Sequence, residues 1–236
     1  MVLIFRFVRH LVPHAWPAWL TAVTIGLTLP VAAFPFQFYP EVAGGVLLFA
    51  IAGHLLFPVR ATPAAAFFIG LLTGYLPWLH VRFSALAAVL LVTGIIKMRR
   101  DARRLAGFLS GFAIPAIFLA LYAYRLTGSV LPSAVRNEED GDSVLSFLGA
   151  LRGSVAYLVD SQWGLLAHSP VYLLALPGYW LLAKQRRDAA WLCALVLLSV
   201  LLPSAAHSLH AAATTPNRLI VGVVPFAAVP IAVVMA

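Results

Sequence analysis

Charge is what this chain has least of. Asp, Glu, Lys and Arg make up 10% of its residues, against about a quarter in an ordinary soluble domain, so it cannot dress a surface that faces water all round. Acids are the scarcer sign: 8 against 16 Lys and Arg, and none ahead of Glu41. A single cysteine, Cys193, excludes an intramolecular disulfide, and inside an apolar run it reads as a small packing residue. Period-2 alternation is missing too, which sets aside a lipid-facing β-barrel. So are a Gly-rich phosphate loop, a serine nucleophile elbow and a His-Glu-x-x-His pair. The net charge of +8 does not point to nucleic acid, because no basic stretch is long or interleaved with aromatics.

In place of these come long apolar runs, 62% of the chain being hydrophobic. Crossing the hydrocarbon core takes about 20 residues in a helix, with about 17 to 25 as the working range. Eight runs qualify: 15–36, 42–58, two halves of 63–96, 105–126, 163–183, 189–206 and 219–236. The 63–96 run is split at Pro77-Trp78-Leu79-His80, because the cationic clusters on either side of it demand an even number of crossings. Pro115 is expected to kink the fifth span. Residues 127–162 form the one long polar loop, with the acids Glu138-Glu139-Asp140 and, at 143–159, a stretch that fits an interfacial amphipathic helix. The first ten residues read as a retained anchor rather than a cleaved signal. The expected fold class is therefore all-α, a single polytopic helical membrane domain over 1–236.

Charge bias orients it. Eleven of the 16 Lys and Arg fall on loops assigned to the cytoplasm, and six of the eight acids fall outside. Trp16, Trp19, Trp180 and Trp191 sit at inner helix ends, Trp78 and Trp163 at outer ends, as an aromatic belt requires. Both termini are then expected on the cytoplasmic side, with the chain integral to the membrane.

The outer loops hold more polar chemistry than loop closure needs. Glu41 opens the second span, His80 and Arg82 occupy a tight turn, Asp160 and His168 flank the entry to the sixth span, and Asn217-Arg218 open the last. Each has a plain structural alternative. Glu41 suits a helix N-terminus, Arg82 can snorkel to headgroups, and Asp160 can cap a turn. His54, inside a span, reads as a packed histidine. His207 and His210, three apart, would share a face if that stretch were helical, but no acid or cysteine stands at ligand spacing, so no metal site is expected.

Several strings together resemble a known family: Tyr39-Pro40-Glu41 opening a helix, Leu76 to Phe83 (LPWLHVRF), Asp160 to Leu174 (DSQWGLLAHSPVYLL), and Pro216-Asn217-Arg218-Leu219. In order and spacing they are similar to GT-C membrane glycosyltransferases of the dolichyl-phosphate-mannose protein mannosyltransferase-like group. The resemblance implies transfer of a sugar from a polyprenyl-phosphate-linked donor to an envelope acceptor at the outer face, with no cofactor assigned. Carried over, Glu41 matches the family's acid at the outer end of an early helix, Arg82 and Arg218 become candidates for the donor's phosphate, and Asp160 matches the entry to a late helix. Together with the polar residues of the outer loops, the expected site has Glu41 and Asp160 as catalytic and His80, Arg82, His168, Asn217 and Arg218 as substrate-binding. Such enzymes carry a key acid in a large first outer loop, which residues 1–38 do not provide. The chain is therefore expected to be the C-terminal part of a larger GT-C-like fold, completed by a partner chain. The alternative from another class is a non-catalytic accessory subunit or lipid-phosphate binder. A transporter is disfavoured, because no inverted repeat or matched pair of broken helices is visible.

Overall fold

A computed structural model of the chain describes residues 1–34, 39–58, 61–130, 147–205 and 218–236. Every element among them is helical: α1 Val2–Arg9, α2 Ala15–Leu27, α3 Pro40–Leu56, α4 Pro63–Leu79, α5 Phe83–Met98, α6 Ala102–Thr127, α7 Phe147–Val159, α8 Leu165–His168, α9 Ala175–Gln185, α10 Arg187–Ala205 and α11 Ala228–Met235. The acidic run 138–140 and the histidines at 207 and 210 lie outside the described residues, as does Asn217.

By length and composition, α6 and α10 are long and apolar enough to cross a membrane. The next longest, α3, α4 and α5, have 17, 17 and 16 residues. At 1.5 Å per residue these three span about 25 Å, at the short limit for the hydrocarbon core.

The chain divides into two compact units, one of residues 1–50 and 145–236, the other of residues 51–144. In the second unit, local sequence signals fix the ends of the helices. Thr62 caps α4 by accepting from the Ala65 N–H at 3.1 Å, with Pro63 in the first turn. His80 is extended, so α4 stops there and α5 starts after Arg82. Asp101 caps α6 through the Arg104 N–H at 3.1 Å, and Gly128, left-handed at φ 70°, ends it.

Helices α4 and α6 run parallel in close backbone contact. Gly70 and Gly74 on α4 face Phe108, Phe112 and Pro115, while Gly107 and Gly111 on α6 face Pro63 and Phe67. Each pair is a Gly-x-x-x-Gly step, which puts two small residues on one helix face and lets backbones touch. A Cβ on Gly70 or Gly111 would run into the carbonyl oxygen of Phe108 or Phe67. Trp78 Nε1 donates to the Pro115 carbonyl at 2.9 Å and ties the far ends of the two helices. The Phe108 ring fills the space over Gly94 of α5.

In the first unit the core is α11, whose residues Ala228 to Val233 are buried on every side. A helix apolar all round must be covered all round. It packs on α2, α9 and α1, with the Pro230 backbone seated against Gly178 of α9. α1 folds back along α2 and places Met1 beside Gly26. Phe49 stacks on Phe226 at 4.2 Å, and Phe7 meets both rings edge-on at 5.5 Å.

Three of the expected continuous spans are broken. The 15–36 run leaves α-helix after Leu27, where Pro30 removes a donor and pushes the residue before it out of helical geometry. The 163–183 run divides at Ser169-Pro170 into α8, a 3₁₀ turn over Pro170–Leu174, and α9. The 219–236 run holds Gly222 and Pro225, and is 3₁₀ over Arg218–Ile220 and Val224–Ala227 before α11 begins.

Gly111→Leu should destabilise the chain by about 3 kcal/mol, at the upper end for overpacking because backbone and not a side chain must yield. Thermal unfolding of the purified protein checks this against Gly128→Asn, at an open left-handed position, where the loss should be small.

Candidate functional site

The candidate site in the first unit starts from a proline and two glycines. Pro40 sits in the first turn of α3, where its missing N–H costs nothing, and Glu41 follows in that turn, where the helix dipole favours a carboxylate. The 3₁₀ segment that begins at Arg218 runs against this end of α3. Their closest approach is glycine on glycine. A Cβ on Gly222 would stand 2.5 Å from the Glu41 carbonyl oxygen, and one on Gly45 would stand 2.8 Å from the Gly222 carbonyl oxygen. With no side chain between the backbones, Arg218, a turn upstream of Gly222, reaches Glu41.

Arg218 Nε lies 3.7 Å from Glu41 Oε1, and its guanidinium carbon lies 3.7 Å above the centre of the Tyr39 ring. Phe34 supports Tyr39 edge-on at 5.8 Å. The Glu41 side chain is 3% exposed and that of Arg218 is 26%. The pair is therefore ionic without being a hydrogen bond. Glu41 Oε2 and Arg218 Nε are both buried without a hydrogen-bond partner among the described residues. A buried carboxylate oxygen left in that state costs about 1–3 kcal/mol or more, so the cluster has capacity for a donor. An apolar cavity of about 420 Å³ lies next along α3, walled by Met1 to Ile4 at the start of α1 and by Phe34, Val42, Gly45, Val46, Val221 and Gly222 among others; Tyr39, Glu41 and Arg218 do not line it.

Asp160 does something different. Its Oδ1 accepts from the backbone N–H groups of Gln162 and Trp163, both at 2.8 Å, and the Asp160 carbonyl accepts from the Gly164 N–H at 2.8 Å. Gly164 is required there, since a Cβ would meet the Asp160 backbone. His168, exposed, donates from Nε2 to the Gln162 carbonyl at 2.8 Å, and Ser169 Oγ donates to the Leu29 carbonyl at 2.9 Å. These bonds describe a capped turn that leads into α8.

His80 and Arg82 belong to the second unit. His80 Nδ1 accepts from the Arg82 N–H at 3.2 Å, its ring meets Phe83 at 6.3 Å, and both residues are half-buried. Of the residues singled out in the sequence, the structure thus brings Glu41 to Arg218, and Asp160 to the turn that His168 closes. It adds Tyr39, whose ring carries the guanidinium, and Gly45 and Gly222, which set the approach. No cluster of three His, Cys, Asp or Glu suited to a metal occurs among the described residues.

No protein-family model, no curated protein and no solved structure matches the chain.

Removing either charge leaves the other buried. Because Arg218 is partly exposed, Arg218→Gln should cost about 3 kcal/mol, the low end for breaking a buried pair, and strand the deeper Glu41. Glu41→Gln should cost less, since Arg218 keeps Tyr39 and some solvent. Equilibrium unfolding of the two variants gives the order.

Proposed function

We propose that the chain is an integral protein of a bacterial plasma membrane, crossing it about eight times. On this reading it transfers a sugar from a polyprenyl-phosphate donor at the outer face, as a GT-C-type glycosyltransferase or part of one. The membrane half of this reading is supported by exposure. α6 has 26 residues, yet only 17% of its most apolar window is buried, and Ile114, Ile117, Phe118 and Leu121 face outward. A soluble core helix would be covered and a solvent-facing one would be polar; an apolar exposed helix suits lipid. Hydroxyls inside the helices point the same way: Thr73, Thr93 and Ser154 each donate to the carbonyl four residues back, at 2.7 to 2.8 Å.

The catalytic half is carried by one observation, the buried Glu41–Arg218 pair beside an apolar cavity. A lipid-linked sugar phosphate brings an anion for a guanidinium and an apolar tail. In the proposed reaction, an acceptor hydroxyl attacks the anomeric carbon and gives its proton to Glu41 Oε2. The bond from that carbon to the phosphate oxygen breaks, and the leaving polyprenyl phosphate keeps the electron pair, its charge met by Arg218. In the same unit, His168 and Asn217 are retained as substrate-contact candidates, and Asp160 as a second carboxylate that also caps its turn; His80 and Arg82 are retained as candidates within the other unit.

A second reading has an observation in its favour. Glu41 Oε1 already faces the Arg218 guanidinium at 3.7 Å, so the two charges can hold each other without performing chemistry. That suits a lipid-phosphate binder or accessory subunit without chemistry of its own.

A transfer assay with a polyprenyl-phosphate sugar, run beside a donor-binding assay on the same membranes, separates the two. Transfer predicts that Arg218→Ala loses donor binding and turnover together. Glu41→Ala should keep donor binding while turnover falls by about 10²–10⁴. Unchanged turnover in both variants contradicts the enzymatic reading; binding without turnover in the parent chain favours the second.

A further inference from the structure

We propose that the groove between α9 and α10 holds one phospholipid with an anionic headgroup, its phosphate at Arg187 and an acyl chain along a trough of alanines. The inference rests on the membrane reading and not on sugar transfer.

The groove has a volume of about 430 Å³ and is lined by Tyr179 and Ala183 of α9 and by Arg187, Ala190, Trp191 and Ala194 of α10. Residues four apart share a helix face, so Tyr179 and Ala183 form one wall, and Arg187 with Trp191 and Ala190 with Ala194 form the other. The alanines leave the space, while the two aromatic rings give it sides. At 1.5 Å per residue, the seven-residue step from Arg187 to Ala194 makes the trough about 10 Å deep.

Charge identifies the occupant. Arg186 is bound to Asp188 through both Nε, at 3.1 Å, and a terminal nitrogen, at 3.2 Å. Its neighbour Arg187 is exposed and has no ion pair among the described residues. Lys184, near the end of α9, lies 3.4 Å above the Trp180 ring, outside the lining of the groove, and has no ion pair among the described residues. The wall of an apolar trough therefore carries one exposed cation, Arg187, without an ion pair among the described residues. A zwitterionic lipid would bring its own cation to Arg187, and a free anion would leave the trough empty. An anionic lipid answers the charge and fills the trough.

The test uses the full chain in detergent, with phosphatidylglycerol, phosphatidylcholine or inorganic phosphate added. Bound lipid is counted by native mass spectrometry and protection is read from the unfolding temperature. Phosphatidylglycerol should be retained as one tight molecule and raise the unfolding temperature, with phosphatidylcholine much weaker. Arg187→Gln should weaken the tight lipid about fivefold, as expected for one cation at a membrane surface, and Arg187→Lys should keep most of the affinity. Ala194→Phe should evict the lipid by filling the trough, with Ala183→Leu as a second filling variant if the first does not accumulate. Equal binding of the two lipids, a tight lipid that survives both filling variants, or equal protection by inorganic phosphate would each overturn the proposal. Membrane-embedded protein that ignores the headgroup sinks the groove alone; protein that washes off membranes sinks the membrane reading beneath it.

Discussion

A carboxylate that is 3% exposed, facing a guanidinium at 3.7 Å, is the constraint on which the first unit turns. Burying Glu41 unpaired would cost several kcal/mol after relaxation, so Arg218 must arrive at α3 whatever else the chain does. The route is narrow. Gly45 and Gly222 allow the 3₁₀ segment to touch α3, and the Phe49–Phe226 stack then locks the same two segments one turn further along. Polar contact and apolar contact reinforce a single register. The pair is also imperfect, since Oε2 of Glu41 has no donor among the described residues. An interior that leaves such an atom open sacrifices stability at the place where a ligand could supply the missing bond.

Glycine performs the same service throughout the molecule. Gly70, Gly74, Gly107 and Gly111 set α4 on α6, Gly153 sets α7 on the end of α10, and Gly178 sets α9 on α11. In water, two apolar helices associate because their surfaces leave solvent. Where lipid surrounds both, that gain disappears and close packing decides. Backbone-to-backbone contact, helix-internal hydroxyl bonds and outward apolar faces on α6 are the features on which the proposed membrane reading rests.

Much of the helical order is legible in the sequence, and the reasons are local. Pro63 after Thr62 marks a start, and Asp101 caps α6 just after the basic turn; the split placed at Pro77–His80 comes early, because α4 carries Pro77 inside it to Leu79 and the turn is at His80–Arg82. What escapes is the interior of the apolar runs. Hydropathy gives 163–183 and 219–236 the same weight as true helices, yet Pro170, Gly222 and Pro225 break their hydrogen-bond ladders. The weight of a proline depends on whether neighbouring elements hold the broken helix together: Pro115 stays inside a continuous α6, braced by Trp78 on its carbonyl. In the site, Glu41 and Arg218 stand out as charges in apolar surroundings. Their partnership does not, because it depends on two glycines 177 residues apart whose contact no local pattern encodes. Asp160 was equally visible, and there the local reading as a turn cap accounts for the backbone bonds found at its carboxylate.

The most direct test is a double-mutant cycle on Glu41 and Arg218, using Glu41→Gln, Arg218→Gln and the combined variant in equilibrium unfolding. A buried pair that sets the register predicts a coupling of about 1 kcal/mol or more, with the double variant more stable than the sum of the single losses allows. Losses that add to within about 0.5 kcal/mol would mean that the two side chains do not depend on each other. The shared site built on them would then have no foundation.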